Sequence, residues 1–158
     1  MNRALTLPFV ALAIASLFTA AVAEAKVSKV DQQELKHLQG TWVLVSGEMK
    51  GKKIAAEAIE ASRMTYSGDT ITLNTPHQSK QPIKGKIKRL DPKKAPRQMD
   101  WVRSAGPGAG RTMQAIYEFD GMDTYKVCFD PAGKGRPKEF ATTSGGCRIL
   151  HVWKRAKN

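Results

Sequence analysis

Gly40-Thr41-Trp42-Val43-Leu44-Val45-Ser46 opens a series of short β-type runs. Ile149-Leu150-His151-Val152-Trp153-Lys154-Arg155 closes it. In an extended chain successive side chains point to opposite faces, so Trp42 and Leu44 share one face and Val43 and Val45 the other. Both faces are apolar, which predicts a first strand covered on both sides. The last run, over 147–154, has the same double-sided character.

Working inward, residues 63–67 and 69–75 read as a hairpin turning at Ser67-Gly68-Asp69, with Met64, Tyr66, Ile71 and Leu73 alternating with polar neighbours. Residues 83–90 alternate most clearly. Ile83, Gly85 and Ile87 face one way, and Lys84, Lys86 and Lys88 the other. Residues 97–103 set Met99 beside Trp101. Residues 111–119 set Met113, Ala115, Tyr117 and Phe119 together, and 123–129 do the same for Tyr125, Val127 and Phe129. Residues 136–143 read as one more short strand. Gly106-Pro107-Gly108-Ala109-Gly110, Gly121 and Asp130-Pro131-Ala132-Gly133 supply turns. About eight evenly spaced strands with no βαβ alternation predict an all-β, up-and-down antiparallel β-barrel.

Two short helices accompany the strands. Asp31 and Glu34 form a capping box, Val30 and Leu35 fit a hydrophobic staple, and Gly40 stops the helix before the first strand. Ile54, Ala55, Ala58 and Ile59 fall on one helical face, which predicts a helix between the first two strands, at the barrel mouth, as a cap or a lid.

The amino-terminal end has another character. Met1-Asn2-Arg3 precedes an apolar stretch over 4–23 that ends in Ala21-Val22-Ala23. This is the pattern of a Sec-type signal peptide over 1–23, with a second cut site after Ala25 and an uncleaved anchor as the rival reading. Residues 24–36 then form a tether and the start of the first helix, and 37–155 the barrel domain. Nothing after Ala25 is apolar enough to cross a membrane, so a periplasmic or secreted protein is expected. In such a compartment Cys128 and Cys147 can form a disulfide, closing a loop of about 20 residues worth on the order of 3 kcal/mol. Two separate thiols are the alternative.

The formal net charge is +12. Lys80, Lys84, Lys86, Lys88, Arg89, Lys93, Lys94, Arg97 and Arg103 crowd one region, opposed by Asp91 and Asp100. An exported cationic surface meets anionic envelope polymer or acidic polysaccharide rather than nucleic acid. The same lysines also serve simply as a solvated face that discourages edge pairing.

Catalytic patterns are missing. In the glycine-rich stretch before Thr112, Ala105 holds the first glycine position of a phosphate loop and Arg111 stands in place of the lysine. His37, His77 and His151 lack metal-ligand spacing. Cys128 has no histidine near it in sequence. No catalytic residue, metal or cofactor is expected. Asp100, between Met99 and Trp101, either faces solvent or is buried and paired with Arg111 or Arg136 at a cavity wall. Tyr66, Trp101, Met113, Tyr117 and Tyr125 form the candidate ligand-binding set, with Asp100 and Arg136 beside them. Their bland role is to fill a closed core.

Leu38-Gln39-Gly40-Thr41-Trp42, Gly51-Lys52-Lys53, Met99-Asp100-Trp101, 110–118, Tyr125-Lys126-Val127-Cys128, Arg136-Pro137 with Phe140, and Lys154-Arg155 stand in an order that resembles the lipocalin-like domain family described from planctomycetes. The resemblance spans about 37 to 155. It implies a barrel whose Gly-x-Trp on the first strand packs on a basic residue at the end of the last, here Trp42 with Arg155. It carries over no catalytic residue. The expected function is non-enzymatic: binding a small apolar or amphipathic, partly apolar ligand in the barrel. The alternatives are adhesion to anionic polymer through Lys84, Lys86 and Lys88, and a purely structural filled barrel.

Overall fold

The computed structural model describes residues 30–157. The expected signal peptide, both cut sites and the first part of the tether lie outside the described residues. Among the described residues no helix is long and apolar enough to cross a membrane.

Helix α1 (Gln32–Leu38) leads into strand β1 (Gly40–Met49). Strand β2 (Lys52–Lys53), helix α2 (Ala56–Glu60), β3 (Arg63–Ser67), β4 (Thr70–Asn74) and β5 (Ile83–Asp91) follow. Then come β6 (Arg97–Ala105), β7 (Thr112–Asp120), β8 (Thr124–Phe129) and β9 (Ile149–Arg155). Apart from β2, which adds two residues to one edge of β1, each strand pairs antiparallel with the next, and β1 pairs with β9. The result is a closed antiparallel barrel of eight strands. Closure leaves no free sheet edge in the ring.

The alternation read from 83–90 is present in β5: Ile83, Ile87 and Leu90 are buried, while Lys84, Lys86 and Lys88 are exposed. Gly85 is required there. A Cβ at this position would lie 2.4 Å from Trp101 Cε3 and 2.6 Å from the Val102 carbonyl.

The closed end is built around α1. Asp31 caps it, its Oδ1 accepting from the backbone N–H groups of Gln33 and Glu34 at 3.0 Å. Gly40 takes φ 102°, a left-handed value that turns the chain from helix into strand. Trp42 and Leu38 have no exposed surface, and the Trp42 indole N–H donates to the Leu38 carbonyl at 2.8 Å. Arg155 lies opposite Trp42 in the β1–β9 ladder, its guanidinium carbon 4.2 Å from the Trp42 ring. The same guanidinium donates to the carbonyls of Gln39 at 2.7 Å and His37 at 2.8 Å. One side chain therefore ties the last strand to the helix and to the first strand. Glu34 completes this end, accepting from Arg97 at 3.1 Å and from the Tyr117 hydroxyl at 2.8 Å.

Four expectations need correction. The disulfide does not form: Cys128 and Cys147 are both free. Cys128 is buried on the outer side of β8, where its thiol donates to the Ala141 carbonyl at 3.8 Å, whereas Cys147 is exposed on the loop before β9. Residues 136–143 are not a strand but part of an irregular segment between β8 and β9. Pro137 is buried in it, and Lys126 Nζ sits 4.9 Å from the Phe140 ring, so this segment covers the outside of the sheet instead of extending it. The first strand is longer than the run read over 40–46, because β1 continues to Met49 against β9. Finally, β1 is covered on one side only, with Val45 41% exposed.

Candidate functional site: the mouth half of the barrel interior

The inner wall is aromatic. Tyr66, Trp101, Tyr125, Phe129, His151 and Trp153 line a small cavity of about 20 Å³. That holds about one water molecule, and ligand pockets usually span about 300–1,000 Å³. In this conformation the interior is packed. Tyr66 donates its hydroxyl proton to the Tyr125 oxygen at 3.2 Å, with the rings edge-on at 87°. Burial raises both phenol pKa values.

The candidate residues separate into three places. Tyr66, Trp101 and Tyr125 come together around the cavity. Met113 and Tyr117 are fully buried but stand away from it, Tyr117 at the closed end beside Glu34. Asp100 and Arg136 lie outside the barrel. Met99 and Trp101 take the inner side of β6, so Asp100 between them faces out. There it pairs with Arg136, each side chain 16% exposed. Arg136 also donates to the carbonyls of Met99 and Ala115, at 3.1 and 2.6 Å. The pair fastens the segment between β8 and β9 over β6 and β7.

Sequence reading missed the contents of the mouth. His151, on the inner face of β9 between Ile149 and Trp153, has no exposed surface. Its Nε2 lies 3.0 Å from His77 Nε2, carried by the loop between β4 and β5. One ring must donate and the other accept, so the accepting ring is neutral. Burial, then the neighbouring His77, pushes the His151 pKa down to about 3, and burial also lowers that of His77. Arg103 follows Trp101 on the inner face of β6 and is only 5% exposed. Its guanidinium carbon stands 5.6 Å from the Trp101 ring and its Nη1 donates to the Pro107 carbonyl.

Buried polar atoms without partners concentrate in this half. Among the described residues they are Thr75 Oγ1, His77 Nδ1, the Gln78 amide, Arg103 Nε, His151 Nδ1 and Trp153 Nε1. Thr75, His77 and Gln78 come from the loop over the mouth, and the others from the inner faces of β6 and β9. Each such atom costs about 1–3 kcal/mol, so their gathering concentrates the unmet polar groups of the interior at the mouth.

The lysine row lies elsewhere. Lys84, Lys86 and Lys88 stand on the outer face of β5, and Lys86 Nζ is 3.8 Å from Asp69 in an exposed ion pair. A larger depression, about 520 Å³, lies outside the barrel between Val30 and Lys93. Comparison of the chain with protein-family models, with curated proteins and with solved structures finds no match.

Proposed function

We propose that this is an exported, non-enzymatic binding barrel of the lipocalin-like family, taking a small, partly apolar guest into the mouth half of its interior. One observation carries the reading. The unpartnered buried polar atoms of Thr75, His77, Gln78, His151 and Trp153 surround the mouth and the aromatic cavity. A guest with one polar end satisfies some of them while its apolar body packs against Trp101, Phe129 and Trp153. Because the resting cavity is near 20 Å³, uptake requires the loop over 75–82 to move outward. The His77–His151 hydrogen bond is the contact that this movement breaks.

Native mass spectrometry of the protein purified from its own host tests this. An extra mass that is retained under native conditions and released on denaturation supports the reading and identifies the cargo. A bare polypeptide mass, unchanged after incubation with small aromatic and short aliphatic compounds, leaves a structural filled barrel in its place.

The exposed row of Lys84, Lys86 and Lys88 favours a second reading, adhesion to an anionic envelope polymer. Binding to acidic polysaccharide that weakens with salt and falls when the three become glutamine supports it. Binding that ignores both refutes it.

A further inference from the structure

We propose that Arg103 and Arg111 form an anion site at the barrel mouth that takes the carboxylate of an amphipathic guest. This rests on the container reading and names the chemistry of what enters.

Arg103 is 5% exposed and inward-facing, yet among the described residues it pairs with no carboxylate. A guanidinium remains charged at any physiological pH, so it cannot escape burial by losing its proton. An uncompensated buried charge costs several kcal/mol. What Arg103 has instead is one carbonyl, Pro107, at Nη1, and the face of Trp101.

The free edge of the group is informative. Nε is buried with no partner, and among the described residues Nη2 makes no hydrogen bond. Nε and Nη2 are the two donors with which a guanidinium grips a carboxylate through parallel hydrogen bonds.

A second cation stands beside it. A Cβ on Gly108, whose φ is +77°, would lie 3.3 Å from Arg103 Nη1 and 3.6 Å from Arg111 Nη1. Glycine at this point lets the hairpin between β6 and β7 wrap around both guanidinium groups. Like charges this close repel: burial first, and then Arg111, lowers the Arg103 pKa. An anion shared between them reverses that repulsion. Trp101, beneath Arg103, meets Phe129 edge-on at 6.5 Å, and Phe129 meets His151 at 5.9 Å. A carboxylate held by Arg103 therefore leaves its apolar body facing aromatic rings. The matching guest is a small aromatic or short-chain carboxylic acid.

Benzoate and benzamide, equal in shape but different in charge, make the test. Each is titrated into the intact protein at low salt while the indole N–H resonances of Trp101 and Trp153 are followed by NMR. Benzoate is expected to bind about tenfold more tightly than benzamide. That preference is expected to vanish in Arg103→Gln and to survive in Lys36→Gln, an exposed position on α1 at the closed end. Arg111→Gln changes an exposed residue and reads the site even if Arg103→Gln fails to fold, with an expected loss of about threefold in the preference. Equal binding of the two probes, or a preference unchanged in both arginine variants, overturns the anion site and leaves the container intact. If neither probe moves the indoles, the interior takes no guest of this size and both readings fall.

Discussion

Acid should loosen this barrel through His151. The imidazole has no exposed surface, and its pKa moves from 6.5 to about 3, first through burial and then through His77. A pKa lowered by folding means that the unfolded chain binds the proton more tightly. The stabilisation is complete above the unfolded value and is lost as pH falls from there towards the folded value. Between about pH 7.5 and about pH 5 a single such histidine removes about 2 kcal/mol of stability. His77, shifted the same way, adds to the loss. Phe129 lies 5.9 Å from His151 and Trp153 lies 5.2 Å, both edge-on, and among the described residues neither histidine forms an ion pair with a carboxylate. Urea unfolding at the two pH values measures the loss directly. Carboxylates elsewhere contribute their own slope, and the His151→Leu variant separates them. Its stability should change less with pH, by about 1.4 kcal/mol for each pH unit below the normal histidine value. A wild-type stability that is flat over this window, or a slope unchanged in His151→Leu, refutes the reasoning.

Other outcomes follow from single contacts. Arg155→Ala removes two short carbonyl hydrogen bonds and the contact with Trp42, and should lower stability by about 2–4 kcal/mol in thermal unfolding. Arg155→Lys should recover less than half of that, because a point charge cannot span both carbonyls. Gly85→Ala forces Trp101 or the Val102 carbonyl aside and should cost about 1–3 kcal/mol by the same assay, with a changed tryptophan emission. Cys147 should react with a thiol reagent at once and Cys128 only after denaturation, since burial pushes the Cys128 pKa up to about 11. Two rapidly reacting thiols would show that the cover over β8 opens readily.

The barrel was legible in the sequence where one strand face is wet and the other dry. Residues 83–90 show this best, since three lysines mark the outside and the isoleucines the inside. The seam was legible for a different reason, the Gly-x-Trp near one end of the domain and the arginine near the other. Residues 136–143 misled because Pro137 and Phe140 cover the outer face of a sheet, and a local pattern does not distinguish covering from joining. The cysteines misled because pairing depends on which way each side chain points, and Cys128 points under Ala141. The mouth was half-readable. His151 and Arg103 each occupy an inward position in a visible alternation, next to Trp153 and Trp101. Arg103 was counted with a basic stretch that otherwise faces water. The meeting of His77 with His151, separated by 74 positions, depends on how a loop folds over the barrel, and no periodicity encodes that.

The pairing of β1 with β9 also dictates an order of assembly. Every other ladder in the ring joins strands adjacent in the ring's sequence order, whereas this seam pairs Trp42 with Arg155 and Met49 with Ile149. Hairpins can form as soon as their two arms exist, but the seam must wait until β9 has been made and bears the largest loop-closure entropy in the ring. No amino-terminal fragment can complete the ring. The ring thus stays open until β9 is made, and a chain cut before Ile149 lacks the clasp but keeps the ladders from β3 to β8.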